Sequence, residues 1–407
     1  MPRLRVRRGG ARLALAVAAG RAAGALSRRL GRGSGQAIGG RVCLAVDPQA
    51  LAALAVGRRI VLVSGTNGKS TTTRMTSAAL GPAVCSNSTG ANLPTGLVAA
   101  LMSDSSPVAV LEVDELHLPA VIDATNPELV LLLNLTRDQL DRMHDVGRVA
   151  ARWRDAIDRA RPTVVAFADD PNVVAAARPA RVTWVSAPSV YNGDVGACPD
   201  CGTPLATANG SWSCTCGMAP PDADVVVNGG VVTMGAETVI LDLALPGRVN
   251  QTNAAFALQA ARHFGVPTAE ARERIALVAD VRGRYASFRV GDRRARLLLA
   301  KNPASWAAAL ELVEPSSQLV VAINARTADG TDTSWLWDVA FEQLAGRRVG
   351  VLGDRAADIA VRLEYAGVRV VDLTDLASAP GNMPPGQLDV IGNYTAFDDL
   401  RRDHVRS

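Results

Sequence analysis

Residues 59–73 constrain this chain more than any other stretch. Arg59–Ser64 reads RIVLVS, a short apolar and β-branched run. It is followed at once by Gly65-Thr66-Asn67-Gly68-Lys69-Ser70-Thr71-Thr72-Thr73 and then by helix-compatible sequence to Leu80. That order predicts strand, glycine loop, helix. Glycines let the backbone curl so that its N–H groups point at phosphate oxygens, and the following helix adds the positive end of its dipole. In such a loop Lys69 would bridge the β- and γ-phosphates of a nucleotide, and the hydroxyl of Ser70 or Thr71 would ligate Mg²⁺. The loop is shorter than the common G-x-x-x-x-G-K-S form, because Val63 stands where the first glycine belongs. Of 43 basic residues only two, Lys69 and Lys301, are lysines. A chain that uses arginine by default and keeps a lysine on a glycine turn points to a need for an ammonium there.

Composition narrows the function classes. A chain of 407 residues is long enough for two or three domains with a sizeable core. With 48% hydrophobic and 20% charged residues it reads as globular. Only 4% is aromatic, which argues against a stacking platform for single-stranded nucleic acid. A net charge of +4 is too balanced to imply a nucleic-acid or membrane partner by bulk electrostatics. Residues 1–9 are basic and 12–26 are rich in Ala and Leu, imitating a secretory signal. Arg21 interrupts that run, Ser27-Arg28-Arg29 follows it, and it is too short to span a bilayer. Residues 11–30 are therefore expected to form an amphipathic helix, arginines on one side, packed on the body of a cytoplasmic protein, with contact with a membrane surface as the alternative reading. The Gly-rich segment 31–40 reads as a hinge.

Further apolar runs at Val108–Val113, Leu129–Leu133, Thr163–Phe167 and Val182–Val185 alternate with helical stretches, notably 147–160. Alternating strands and helices predict an α/β fold with a mostly parallel sheet. Short strands near 224–243 and a helix from about 250 to 264 follow. From about Arg294, strands at Arg296–Leu299, Leu319–Ile323, Arg348–Leu352, Val368–Val371 and Leu388–Ile391 predict a separate Rossmann-like unit.

Six cysteines in so long a chain do not suggest a disulfide framework. Four of them cluster. Cys198-Pro199-Asp200-Cys201-Gly202 reads as a knuckle, and Cys214-Thr215-Cys216-Gly217 completes a set of four thiolates suited to a closed, structural Zn²⁺ site. Few basic or aromatic residues flank this ribbon, so a nucleic-acid role is not expected, and Trp212 is the candidate for its small core. Cys43 and Cys85 read as ordinary buried residues.

The loop resembles the ATP-binding loop of the Mur ligases and folylpolyglutamate synthases, and other segments resemble theirs too. Glu112-Val113-Asp114-Glu115 at the end of an apolar run looks like the acidic Mg²⁺ motif, with Glu112 as the carboxylate. Residues 134–142, NLTRDQLDR, resemble the Asn-x-x-x-Asp-His-Leu-Asp segment, with Gln139 in place of His. Residues 247–255, GRVNQTNAA, resemble the stretch whose asparagines, here Asn250 and Asn253, meet the adenine. Gly283-Arg284-Tyr285 resembles the Gly-Arg motif whose arginine approaches the phosphates. The family commonly bridges Mg²⁺ with a carbamylated lysine, yet no lysine lies between 70 and 300. A zinc ribbon inserted in such a domain narrows the resemblance to the MurT family, the ligase subunits of lipid II isoglutaminyl synthase. The segments around Lys301-Asn302-Pro303-Ala304 and Asn324–Asp338 look like that family's C-terminal signatures.

The resemblance implies three parts: residues 1–45 as an N-terminal helix and hinge, 46–290 as a Mur-ligase-like ATP-binding central domain with a zinc ribbon at 195–220, and 291–407 as a partner-binding domain. It implies ATP-dependent amidation of the D-isoglutamate α-carboxylate of the lipid II stem peptide at the inner face of the cell membrane. ATP and Mg²⁺ would act at Gly65, Thr66, Asn67, Gly68, Lys69, Ser70 and Thr71, with Arg284 and Glu112 beside them. Ammonia would come from a GatD-like glutaminase subunit, since no Cys-His dyad is apparent here. Asp332, ahead of Asp338 and Asp329, is the candidate to complete that partner's Cys-His pair. The competing readings are an amino-acid-adding Mur ligase or polyglutamate synthase, and a nucleotide-binding scaffold without catalysis.

Overall fold

The computed structural model describes residues 10–30, 35–87, 91–137, 146–188, 196–208, 211–279 and 285–405. Strands β1 (Arg59–Ser64), β2 (Val84–Ser86), β3 (Val108–Glu112), β4 (Leu129–Leu132), β5 (Thr163–Phe167) and β6 (Arg181–Ser186) precede a small hairpin of β7 (Ala206–Ala208) and β8 (Ser211–Ser213). Strands β9 (Val225–Asn228), β10 (Val231–Met234) and β11 (Glu237–Ile240) follow. All but β7 and β8 join one sheet in the order β11-β10-β9-β6-β5-β4-β1-β3-β2. From β2 to β9 every neighbour pair is parallel, and β9-β10-β11 is an antiparallel meander at the far edge. The central strands β1, β3 and β4 are buried on both faces. That burial explains their unbroken Val, Leu and Ile runs. After β1 the chain crosses to β2 and β3 on one side and then to β4 on the other. The strand order therefore reverses at β1, and a crevice opens beyond its C-terminal end, where open α/β sheets bind ligands.

The second sheet contains β12 (Tyr285–Val290), β13 (Arg293–Leu299), β14 (Gln318–Ala322), β15 (Arg348–Leu352), β16 (Arg369–Asp372) and β17 (Leu388–Gly392), in the order β12-β13-β17-β14-β15-β16. Only the β12–β13 pair is antiparallel. Two strands differ from the sequence expectation. Strand β2 is three residues long and too short to carry a pattern. Strand β12 alternates half-buried and exposed residues, and it pairs with β13 across a tight turn. It therefore lies in the second sheet although it precedes residue 291.

The N-terminal segment forms a helix at Gly10–Arg29 and a second helix at Gln36–Val46. Glycines 35, 39 and 40, read from the sequence as part of a hinge, sit at tight contacts instead. A Cβ on Gly20 would come within 2.7 Å of the Gly39 carbonyl oxygen, and one on Gly40 within 1.8 Å of that of Thr95. The helices thus touch nearly backbone to backbone, and only residues without side chains permit it. The arginines do not gather on one side. Arg12 donates to the Val46 carbonyl (2.9 Å) and Arg21 to that of Met102 (2.5 Å). No helix among the described residues is long and apolar enough to cross a membrane.

Candidate active site

The glycine loop follows β1 and opens the helix Lys69–Leu80. Gly65 has φ +146° and Gly68 φ +86°. At Gly65 a Cβ would meet the Asn134 backbone nitrogen and the Leu133 Cβ, each at 2.9 Å. At Gly68 it would meet Asn253 Oδ1 at 2.7 Å. Both positions therefore require glycine, by conformation and by space. The helix begins at Lys69 with no side-chain cap on its first turn, so its positive end faces the crevice.

Neighbouring strand ends hold the loop's shape. The Thr66 amide donates to the Asn134 carbonyl (2.9 Å) and the Thr66 hydroxyl to the Thr136 carbonyl (3.0 Å). The Asn67 amide donates to Asn134 Oδ1 (2.9 Å), and Asn134 Nδ2 returns a bond to the Asn67 carbonyl (3.0 Å). Lys69 is 4% exposed. Its Nζ donates to the carbonyls of Gly65 (2.5 Å) and Thr66 (3.2 Å) and pairs with Glu115 Oε2 at 3.0 Å. Glu115 is itself buried, and its carbonyl accepts from Trp153 Nε1 (2.8 Å). A buried ammonium is tolerated because it has that carboxylate. Thus Lys69 folds back over its own loop, with Glu115 as counterion.

Glu112 ends β3 and is 1% exposed. Its backbone is clamped by Asn87, with bonds of 2.7 and 2.8 Å. Its Oε1 is 3.5 Å from Asn92 Nδ2, while Oε2 is buried without a hydrogen-bond partner. Buried carboxylate oxygens without partners are rare and costly. An orphaned carboxylate oxygen beside a phosphate loop is what a hard divalent cation needs, so the residues present fit Mg²⁺.

A cavity of about 270 Å³ opens beside the loop, lined by Asn67, Gly68, Thr71, Asn250, Asn253 and residues of the second sheet's side. Asn253 is buried. Its Oδ1 accepts from the Thr72 hydroxyl (3.1 Å), and its Nδ2 donates to Asn250 Oδ1 (3.2 Å). The two asparagines, one turn apart on the helix Arg248–His263, thus stand at the loop. Asp169 also borders the cavity, and burial pushes its carboxyl up. The far wall is the helix Pro303–Glu311. Its N-cap, Asn302, exchanges two bonds with the Asn67 side chain, at 3.2 and 3.3 Å across 235 residues of sequence. Arg248 pairs with Glu311, and Arg137 with Asp338 (3.3 Å). The C-terminal part is therefore docked directly onto the loop, with Lys301 next to the docking residue.

Sequence reading did not single out Glu115, Asn302, Asn134 or Thr136 as site residues. Glu115 lay in the quoted acidic motif, Asn134 and Thr136 in the quoted 134–142 segment and Asn302 in the C-terminal signature, but nothing in those segments connects them to the glycine loop. Arg284, Asp138 and Gln139 lie outside the described residues. Asp332 is exposed and does not line the cavity beside the loop. Its Oδ1 accepts from the Ser334 amide (2.8 Å), which holds its carboxyl below the usual range. Asp329 is instead consumed by bonds from Thr395 and the Arg326 amide, and Asp338 by Arg137.

The sulfurs of Cys198, Cys201, Cys214 and Cys216 all lie within 4.8 Å of one another. Two pairs stand at 3.7 Å (Cys198–Cys216) and 3.3 Å (Cys201–Cys214). Tetrahedral Zn²⁺ with Zn–S near 2.3 Å would place sulfurs about 3.8 Å apart, so the set fits zinc after a small expansion. Thr203 and the Cys216 amide hold the Cys214 thiol down to about 6, favouring the thiolate that a metal binds. Trp212 packs with Cys198 and Met218 of the ribbon and with Val174 and Ala175 of the helix Pro171–Ala177, so the ribbon's small core is shared with the body that carries it. Cys43 and Cys85 are fully buried elsewhere, and burial pushes the Cys85 thiol up to about 11.

Comparison with known proteins agrees with this geometry. Residues 63–261 match the Mur ligase middle domain, and residues 299–397 match the MurT ligase C-terminal family. The MurT subunit of lipid II isoglutaminyl synthase (glutamine-hydrolyzing) from Streptococcus pneumoniae is 31% identical over 95% of this chain and 96% of its own length. Among solved structures, a pseudomurein peptide ligase type C from Methanothermus fervidus superposes with a TM-score of 0.69. It is 18% identical and covers 87% of this chain and 80% of its own. The MurF ligase from Thermotoga maritima in complex with ADP superposes at 0.62, with 14% identity over 86% of this chain and 82% of its own. The chain belongs to the MurT family, ligases of peptidoglycan synthesis built on the Mur ligase fold.

Proposed function

We propose that this chain is the ATP-dependent ligase subunit that amidates the D-isoglutamate α-carboxylate of the lipid II stem peptide, with ammonia supplied by a GatD-like glutaminase. The observation that carries the ligase chemistry is the orphaned Glu112 oxygen at the end of β3, beside the glycine loop at the end of β1. The choice of substrate and partner rests on the end-to-end similarity to a MurT subunit.

A carboxylate is a poor acyl donor at neutral pH. Its oxygen attacks the γ-phosphorus of ATP and ADP leaves, which gives an acyl phosphate. Ammonia then attacks the acyl carbon, phosphate departs, and the nitrogen loses a proton to give the amide. The protein's work is to position the reactants and neutralise charge. Asn250 and Asn253 bind the adenine end in the cavity against the helix Pro303–Glu311. The loop amides from Gly65 to Thr71 receive the phosphates. Lys69 exchanges its loop carbonyls for phosphate oxygens and keeps Glu115 as counterion. Arg284, by its Gly-Arg motif, would approach the phosphates. Ser70 and Glu112 would hold Mg²⁺, which when bound neutralises phosphate charge. Zn²⁺ on the four cysteines is structural.

Asp332, exposed at the start of the short helix Ser334–Asp338, orients the partner's histidine. The amino-acid-adding alternative is disfavoured because no lysine between 70 and 300 can serve as the carbamylated bridge.

One experiment tests both assignments. Phosphate release is measured with lipid II and the glutaminase partner, driven either by glutamine or by free ammonia. Lys69→Ala should lose both activities by at least about 100-fold. Asp332→Asn should lose the glutamine-driven one alone. Wild-type rates from Lys69→Ala would end the ligase reading. Phosphate release with an amino acid and no glutaminase would favour the alternative. For zinc, the metal content of purified protein should be one per chain and absent from Cys201→Ser/Cys214→Ser. That variant should be cleaved by protease within 196–218 while the rest of the chain stays folded.

A further inference from the structure

The N-terminal helix Gly10–Arg29 leaves large apolar side chains exposed on a water-facing surface. Its buried residues are Ala16, Gly20 and Gly24, all small, pressed against the neighbouring helix. Leu13 and Val17 pack half-buried against the core, whereas the remaining large apolar side chains point the other way. Leu15 is 64% exposed, Leu26 58% and Leu30, just past its end, 60%. Leu15 and Leu26 are eleven residues apart, three helical turns, so they lie on one line about 16 Å long. Ala11, Ala18 and Ala22 are exposed along the same line. A surface helix ordinarily turns charged residues outward, so this stripe needs a cover.

Charge identifies the cover. The first 46 residues contain ten arginines and no Asp or Glu, whereas the remaining chain carries 33 basic and 39 acidic residues. The modest net charge of the whole molecule conceals a strongly basic end and an acidic body. A second copy of the same surface would bring two such basic ends together and be repelled. An anionic bilayer surface offers both an apolar layer for the leucines and phosphate headgroups for the exposed Arg12, Arg21, Arg28 and Arg29 of the same helix.

We propose that the outer face of the helix Gly10–Arg29 is a peripheral membrane anchor that lies in the headgroup region of an anionic phospholipid bilayer. Leu15, Leu26 and Leu30 enter the acyl boundary. The small-residue inner face keeps the anchor rigidly attached to the body, so the ligase is held at the surface rather than tethered by a loose tail. Nothing here depends on the amidation chemistry or on the acceptor being lipid-linked.

The test is flotation of the full-length chain with vesicles, without substrate. One set is phosphatidylcholine with about one-third phosphatidylglycerol, and the other is phosphatidylcholine alone. Partitioning to the anionic vesicles should be at least about 100-fold stronger and should weaken in high salt. Leu15→Ser/Leu26→Ser should cut it by about tenfold or more. Both leucines are exposed, so the variant should keep its melting temperature and nucleotide affinity. Equal partitioning to both vesicle types overturns the proposal, as does unchanged binding by the variant. So does a wild-type dimer that the variant abolishes while neither form binds vesicles.

Discussion

The two sheets of this molecule treat their buried carboxylates in opposite ways. In the C-terminal sheet, Asp389 on β17 is fully buried and wholly occupied. It takes two bonds from Arg296 on β13 (2.7 and 2.9 Å) and one from the Ser317 hydroxyl (2.5 Å). Past the strand ends, the Asn324 amide donates to Asn393 Oδ1 (3.0 Å), and Asn393 Nδ2 donates to the Asn324 carbonyl (2.6 Å). In the larger sheet the account is left open. Among the described residues, the buried side-chain oxygens without a partner, those of Thr73, Thr76, Ser86 and Glu112, lie in or beside β1, β2 and β3, whereas the C-terminal part leaves only nitrogens, those of Trp306 and Arg401, without one. Both sheets are mostly parallel and both gather polar residues near strand ends. Asp389 helps to hold its sheet together, while Glu112 keeps one oxygen without a protein partner beside the glycine loop.

Substitution should separate the two sheets by sign. The largest effect is expected at Asp389→Asn. It leaves the Arg296 guanidinium only the exposed Glu314 (3.2 Å) as counterion and should lower stability by about 3 kcal/mol, read as a lower melting temperature. Nucleotide affinity at a temperature where the variant is folded should not change. Glu112→Gln should do the reverse. Removing an unpaired buried charge should leave the melting temperature of the nucleotide-free protein unchanged or raise it. Mg²⁺-dependent ATP binding, followed by calorimetry, should weaken by about 100-fold, the scale of losing one liganding charge at a phosphate site. A melting temperature that falls at Glu112→Gln as at Asp389→Asn would erase the distinction. The smallest effect concerns the seam between the sheets. Asn67→Ala, Asn302→Ala and the double variant should give a coupling of about 1 kcal/mol in a double-mutant cycle on ATP affinity. A coupling near zero would mean that the two parts dock without help from this pair.

Much of this was legible in the chain because it is local. The strand before Gly65, the helix from Lys69, the four cysteines and the alternation of apolar runs with helices each depend on neighbours a few residues away. Strand β2 was not legible, because three residues cannot establish a period. The outward turn of Leu15 and Leu26 was hidden because an Ala-rich helix has no strong polar face, and only the glycines of its neighbour decide which side is pressed inward. Glu115 was visible as a residue but not as the partner of Lys69. Asn302 was visible only within a C-terminal signature, with nothing to connect it to Asn67.

The sequence by itself determined that a glycine turn with a lysine would follow a buried strand, and that four thiols would face one another. Backbone conformation and residue chemistry at short range settle both. Only the tertiary structure decided that Glu112 would keep an oxygen without a partner while Asp389 would keep none. It alone decided that an asparagine 235 residues away would close on the loop. Those outcomes depend on which groups packing brings within hydrogen-bond reach, and a one-dimensional chain does not carry that information residue by residue.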